Sequence, residues 1–513
     1  MNLNTKTRPM VAVGILVATF FSSVGWSAVE NKESAAVMIA LDRGPVRAAI
    51  PEGFAGLSFE VSRLLPDTNG IHYFRPDNQP LVNLFHTLGI RSLRVGGNTS
   101  DRDARQLPGP ADLDSFFAFA QATQVKVIYG LQLHKGDPAI AAQTVKYIMD
   151  RYAPLMDSFA IGQEPSAYPV SATDSRPHHE KMGPEAERFG YSTYAQDWKR
   201  FAETITTAVP GVKFCGPGVH NNAQWNQKFI EEFGQSNHVA LITAHLYAGG
   251  AGDKVTNPEA GRAQMLSDRF SPTYQKLYDG FVPVATANAL PYRLEEVNSF
   301  YNAGAAGVSD TFAAALWGLD FMHWWAIHGA AGLNFHTGDQ VAAGPILRPA
   351  RYAVFLSATN GYQACPLAYA LKAFNLGAKG KVLPAAIGNP RQINLTAYAT
   401  LDGTGTIFVT IINKEHGTAA QNASVSLQTS DKEGWTGQII RLQAPQADVS
   451  ATSGETLGGV EITSSGDFAG KWSPLPAKND ASGLNICPVD VPASSAAIIK
   501  LTPEVHAALR ANR

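Results

Sequence analysis

From residue 56 to residue 336 the chain alternates short apolar runs with segments whose apolar residues recur every three or four positions. The runs cover residues 56–60, 92–97, 126–132, 158–164, 213–217, 240–247, 292–298 and 332–336. Several are apolar almost throughout, the pattern of parallel strands covered on both faces. Between them, Leu113, Phe116, Phe117 and Ala120 share one helical face, and Tyr194, Trp198, Phe201 and Ile205 share another, with Pro210 just beyond. Asp137 followed by Pro138 pairs an N-cap with proline at the first helical position, ahead of Ala141, Val145 and Ile148. Eight such units over about 280 residues predict a (β/α)8 TIM barrel spanning 51–350. An open nucleotide-binding sheet loses support, because no GxGxxG follows the first strand and no P-loop occurs.

The texture changes beyond residue 350. Residues 394–400 alternate, Asp402-Gly403 turns, and 406–412 return, a hairpin pattern. Residues 424–427, 438–442 and 496–501 read as further strands, so 351–505 predicts a C-terminal β-sandwich. Runs at 37–41 and 46–50 precede the barrel without a helix, and 36–50 is expected to add strands to that sandwich.

Charge narrows the function classes. Charged residues make up 16% and the formal net charge is -2, which gives no electrostatic argument for nucleic acid or an anionic membrane surface. At the N-terminus Lys6 and Arg8 precede an apolar run from Met10 to Phe21, followed by small residues. That is the pattern of a signal peptide, 1–28, cleaved after Gly25, Ser27 or Ala28. The expectation is an exported protein, periplasmic or secreted, with no membrane span after cleavage. In an oxidising compartment a Cys365–Cys487 bridge is the most plausible pairing among three cysteines. No CxxC or Cys/His cluster points to a metal, and no cofactor is expected.

In a TIM barrel the chemistry sits at the C-terminal ends of the strands. The fourth run ends Ile161-Gly-Gln-Glu164-Pro165, and the seventh contains Glu295-Glu296-Val-Asn298. Two glutamates facing each other across a cleft are what hydrolysis of a glycosidic bond needs: one protonates the leaving oxygen and one attacks or stabilises the anomeric carbon. His245-Leu-Tyr247 closes the sixth run, where the tyrosine could hydrogen-bond the nucleophile, and Arg94 on the second could pair with a carboxylate inside the barrel. Side-chain alternation predicts that only one of Glu295 and Glu296 points inward.

These segments resemble the glycoside hydrolase family of heparanase and the microbial β-glucuronidases, most of all its bacterial β-glucuronidase branch. The resemblance is carried by Gly56-Leu-Ser-Phe-Glu60, Leu93-Arg-Val-Gly-Gly-Asn98-Thr-Ser100, Ile128-Tyr-Gly-Leu-Gln-Leu133, Gly162-Gln-Glu-Pro165, His245-Leu-Tyr247, Arg293-Leu-Glu-Glu-Val-Asn-Ser299 and the stretch from Gly307 to Trp317. It implies a retaining β-glucuronidase acting on a carbohydrate substrate, with Glu164 as acid/base and Glu296 as nucleophile. Asn98, Gln163, Tyr247, Tyr301, Asn302 and Ala303 then fall at substrate-binding positions. Three departures stand out. Gln163 replaces the family's asparagine, Ala303 replaces a glycine in the turn that holds the substrate carboxylate, and the loop at 337–341 looks shorter and lacks the relatives' tyrosine. They leave open a retaining glycosidase for a neutral sugar, or a non-catalytic glycan-binding protein on the same fold.

Overall fold

In a computed structural model the described residues are 35–504, apart from 43–47, 102–105, 169–178, 183–185, 344–345, 430–433, 477 and 480–484. The expected signal peptide therefore lies outside the described residues. Among those described, no helix is long and apolar enough to cross a membrane.

Eight strands close into a parallel barrel in sequence order. They are β1 (Ala55–Glu60), β2 (Ser92–Gly96), β3 (Lys126–Leu131), β4 (Met156–Ile161), β5 (Phe214–His220), β6 (Val239–Tyr247), β7 (Tyr292–Asn298) and β8 (Gly332–His336). Outside run α1 (Gln79–Leu88), α2 (Pro110–Thr123), α3 (Pro138–Tyr152), α4 (Tyr191–Ala208), α5 (Ala223–Phe233), α6 (Pro258–Leu266), α7 (Ser271–Ala287) and α8 (Phe312–Ile327). The Asp137 carboxylate accepts from the Ala139 N–H, so α3 starts where its cap and proline dictate. Phe116, Phe117, Tyr194, Trp198, Phe201 and Ile205 are all buried between helices and barrel wall.

Two differences from the sequence reading bear on the site. β4 ends at Ile161, so Glu164 stands on a loop three residues past the strand. On β7, the register against β6 slips between Leu294 and Glu296, pairing Leu294 with Ala244 and Glu296 with His245. Glu295 is the extra residue of a β-bulge, which breaks the alternation that would have sent it outward.

The barrel core does not stop at residue 350. Helix α9 (Pro366–Gly377) lays Leu367, Leu371 and Phe374 into the barrel's hydrophobic cluster. Two sheets follow and enclose a second cluster. One runs Lys381–Leu383, Leu395–Leu401, Ile407–Asn413, Ser495–Pro503, Trp435–Gln443, Thr456–Leu457, with Ser473–Leu475 also on Trp435–Gln443. The other runs Ala385–Gly388, Ala35–Leu41, Ala423–Thr429, Asn485–Val491, Lys478–Asn479. The N-terminal strand thus crosses to the sandwich, where Val37, Ile39 and Leu41 are buried. The expected second strand at 46–50 is reduced, where it is described, to one bridge between Ala49 and Lys381. The Cys365–Cys487 bridge does not form: all three cysteines are thiols. Cys365 caps α9, whereas Cys487 sits inside the sandwich opposite Leu427 and faces the Pro476 carbonyl.

Candidate active site

The C-terminal ends of β2, β4, β6, β7 and β8 converge on one carboxylate, Glu296. Its Oε2 accepts from Arg94 Nη1 at 2.6 Å and from the Gln163 amide at 3.0 Å, and its Oε1 accepts from the Tyr247 hydroxyl at 2.9 Å. The rings of His245 and His336 come within 3.9 and 4.0 Å of Oε2. Burial pushes the Glu296 carboxyl upward, but the charges of His336, His245 and Arg94 and the Gln163 hydrogen bond outweigh it and hold it well below the usual carboxylate range. Glu296 is an anion with its lone pairs pinned by fixed donors.

Glu164 is held differently. Its backbone is left-handed, with φ at 47°, directly before Pro165. That conformation is costly for a residue with a side chain, and the surroundings enforce it. The Glu164 N–H donates to the Gly218 carbonyl on β5. Asp101, beyond β2, accepts from the backbone N–H groups of Leu133, His134 and Gln163 and from the Tyr168 hydroxyl, tying the ends of β2, β3 and β4 together. The Glu164 side chain meets His245 Nδ1 at 3.1 Å. Carboxylate oxygens of Glu164 and Glu296 lie within 4.8 Å of each other. Burial raises Glu164, and the hydrogen bond and charge of His245 more than reverse it, leaving it somewhat below its ordinary value. Burial would lower His245, yet the charge of Glu296 and contacts with Glu164 and Glu295 raise it to about 9. The imidazole is therefore a cation at neutral pH, and the Glu164–His245 pair holds one proton.

The other residues singled out in the sequence divide. Gln163 is buried and joins Arg94 to Glu296, its Oε1 accepting from Arg94 Nη2 at 2.5 Å. The Tyr301 ring stands beside His220 and Tyr247 and is partly exposed. Asn302 and Ala303 both take positive φ, ahead of Gly304. The Asn302 side chain turns away to Asp253, and Ala303 has only its backbone to offer. No backbone hydrogen bond among the described residues uses the N–H groups of residues 302–304, whereas Tyr301 and Ala305 spend theirs on Gly250 and Ser309. Asn98 faces the Ala342 carbonyl at 3.4 Å, so it braces a neighbouring loop.

That loop was not legible. After β8 the chain forms a hairpin, β9 (Gln340–Ala343) and β10 (Ile346–Pro349), and returns Tyr352 to the site. Tyr352 is buried with Tyr247, Ala303 and Val341. A tyrosine is present after all, eleven residues past the loop where it was sought. Glu60 holds the hairpin, accepting from the Ala342 N–H at 3.1 Å and from Thr99. Glu295 was also missed: it is fully buried beneath His245.

Residues 113–323 match the model of glycosyl hydrolase family 79, N-terminal domain. Over that stretch the chain is similar to this family. Two curated relatives are β-glucuronidases, one from Aspergillus niger at 26% identity over 58% of this chain, one from Neurospora crassa at 24% over 59%. Each alignment spans 60% of the relative's own length. Among solved structures, a 4-O-α-L-rhamnosyl-β-D-glucuronidase from Fusarium oxysporum shares the fold over 90% of this chain and 99% of its own, with a TM-score of 0.67 and 18% identity. A family 51 arabinofuranosidase from Xanthomonas axonopodis pv. citri does so over 91% and 100%, at 0.63 and 14%. The chain thus shares its barrel-plus-sandwich architecture with glycosidases of different specificity.

Proposed function

We propose that this chain is a retaining β-glucuronidase with Glu164 as acid/base and Glu296 as nucleophile. The observation that carries the reading is the pair itself. One carboxylate is fixed as an anion by three hydrogen bonds, and a second, sharing a proton with a histidine, lies within 4.8 Å of it. Retaining chemistry uses carboxylates about 5–5.5 Å apart, whereas inversion leaves room for a water and needs roughly 6.5–9.5 Å. Glu296 attacks the anomeric carbon while Glu164 protonates the departing oxygen. Glu164, ionised again, then takes a proton from the water that releases the sugar.

The sugar reading rests on the turn after β7. A uronate carboxylate set against residues 301–304 would meet the backbone N–H groups of residues 302–304 and the Tyr301 hydroxyl, with Tyr352 close by. A neutral hydroxymethyl group there would leave donors poorly paired. Two family relatives named β-glucuronidase agree with this choice. The test compares 4-nitrophenyl β-glucuronide with the β-glucoside and β-galactoside. We expect kcat/KM for the glucuronide to be higher by on the order of a hundredfold or more. Equal turnover of the glucoside would remove the uronic acid and leave the carboxylate pair standing. Export on the leader-like residues 1–28 belongs to the same proposal, and N-terminal sequencing of the mature protein tests it.

A further inference from the structure

Beneath the carboxylate pair lies a third acidic group with no part in the mechanism above. The bulge on β7 turns Glu295 into the barrel, where it is fully buried. Its Oε1 lies 3.6 Å from His245 Nε2, an ion-pair distance, and neither atom makes a hydrogen bond among the described residues. The opposite ring nitrogen, Nδ1, is the one that meets Glu164. The imidazole therefore stands in line between Glu295 below and Glu164 above. Gly218 on β5, at φ +61°, keeps this line open: a Cβ there would come within 2.7 Å of Glu295 Oε1 and 3.4 Å of His245 Nε2.

The groups facing each member fix the charge. Around His245 stand Glu164, Glu295 and Glu296, against one cation, Arg94. Around Glu295 stand His245 and Thr243 on β6, Arg94 on β2, Cys215 on β5, Arg293 on its own strand and Tyr194 on α4. Burial and the charge of Glu295 push the Cys215 thiol well up, so it stays a donor to Glu295 Oε2, at 3.7 Å. Arg293 faces Glu295 from outside the trio, His336 stands 4.0 Å from Glu296 Oε2 and His220 faces Glu164, yet His245 alone touches all three carboxylates, and only a doubly protonated imidazole presents an N–H on both sides.

We propose that Glu295 is a positioning residue for the acid/base: it holds the His245 ring as imidazolium with Nδ1–H aimed at Glu164, so that the proton for the leaving group is stored on that pair. The proton passes from Nδ1 to Glu164 and on to the departing oxygen, leaving Glu164 ionised and the ring neutral. It returns when Glu164 deprotonates the incoming water, so the pair ends as it began. This rests on the reading of Glu164 as the acid/base, whatever sugar occupies the site.

The test is the pH profile of kcat/KM for wild type, Glu295→Gln, His245→Gln and the double variant. Each is assayed on an activated aryl glycoside of the sugar that wild type cleaves best, and on an alkyl glycoside of that sugar with a poor leaving group. Without Glu295 the pair should lose its last proton earlier, moving the alkaline limb down by about one pH unit. That is a loss of about twofold at pH 8, approaching tenfold at pH 10, for the poor leaving group and a smaller one for the activated substrate. In the His245→Gln background, Glu295→Gln should move the limb no further. A loss uniform across pH, or an equal shift in both backgrounds, overturns the proposal. Should Glu295→Gln not fold, the wild-type ring is titrated by NMR on histidine-labelled protein, its signal assigned by its absence from His245→Gln. A ring already neutral at pH 7 overturns it as well. Glu296→Ala is run alongside: full activity there ends the glycosidase reading itself, whereas an inactive Glu296→Ala with an unmoved limb in Glu295→Gln ends only the role of Glu295.

Discussion

Three side chains that grip one carboxylate make sharp demands on substitution. Tyr247 donates to Glu296 Oε1, and nothing else among the described residues is recorded on that oxygen. Removing a hydrogen bond to a charged group costs about 1.5–3 kcal/mol, so Tyr247→Phe should lower kcat/KM by roughly ten- to a hundredfold. It should also move the acid limb of the profile upward, because Glu296 loses a donor that favours its ionised form. The sign follows from a depressed carboxyl: activity is present above its pKa and lost as pH falls through it. An unmoved acid limb would mean that another group sets it. Glu164 makes a different demand. Glu164→Ala should hurt poor leaving groups far more than activated aryl ones, and azide should rescue it as a glycosyl azide of retained configuration. Equal losses without an azide product would remove Glu164 from its role. At this scale the sequence was informative wherever a strand end names a residue: Glu164, Tyr247 and Glu296 were all expected at one mouth, and Arg94 was expected to meet a carboxylate. Glu295 was sent to the wrong face because alternation presumes an unbroken ladder. A bulge depends on how two strands pair, which neither strand's own pattern records.

The element that sequence reading passed over is the β9–β10 hairpin. Its apolar and polar positions do not alternate over enough residues to announce a strand, and the exposed Ile346 and Leu347 blur what pattern there is. What fixes the hairpin is distant in sequence: Glu60 and Asn98 grip Ala342 from the ends of β1 and β2, and Arg348 pairs with Asp253 in the loop after β6. The surface pair is worth little by itself. The buried Glu60 contacts matter more, since Glu60→Ala strips the Ala342 and Thr99 N–H groups of their acceptor. Glu60→Ala should therefore loosen the hairpin that carries Tyr352 and raise KM for the preferred glycoside severalfold, with a smaller change in kcat. If kcat falls while KM holds, Glu60 acts on the chemistry and not through the hairpin.

Across the whole molecule, barrel and sandwich share a boundary that composition alone marks too early. Helix α8 is buried on nearly every side, which no lone barrel helix would be. Helix α9 covers part of it, and Ile412, Ile440, Leu442 and Ile498 of the sandwich belong to the barrel's own cluster. At the seam Asp320 on α8 accepts from Lys414 Nζ at 2.7 Å and from the hydroxyls of Thr396 and Tyr398. Asp320→Ala leaves a buried ammonium without its partner and should cost on the order of 3 kcal/mol, read as a lower urea midpoint, with kcat/KM unchanged well below the transition. An unaltered midpoint would show that the apolar seam alone holds the two parts together. The barrel strands were legible because several are nearly continuous apolar runs; the polar seam was not, because Asp320 meets Thr396, Tyr398 and Lys414 from elements 76 to 94 residues away.

The central claim is that Glu296, and not its buried neighbour Glu295, forms the covalent bond to the sugar. Trapping tests it directly: the protein is incubated with a 2-deoxy-2-fluoro-β-glucuronyl fluoride, whose fluorine slows release of the glycosyl-enzyme, and the labelled peptide is mapped by mass spectrometry. One fluoroglucuronyl group on the Glu296 side chain is the predicted result. A label on Glu295 or Glu164, or unlabelled protein that consumes the reagent and releases a product of inverted configuration, would contradict the account.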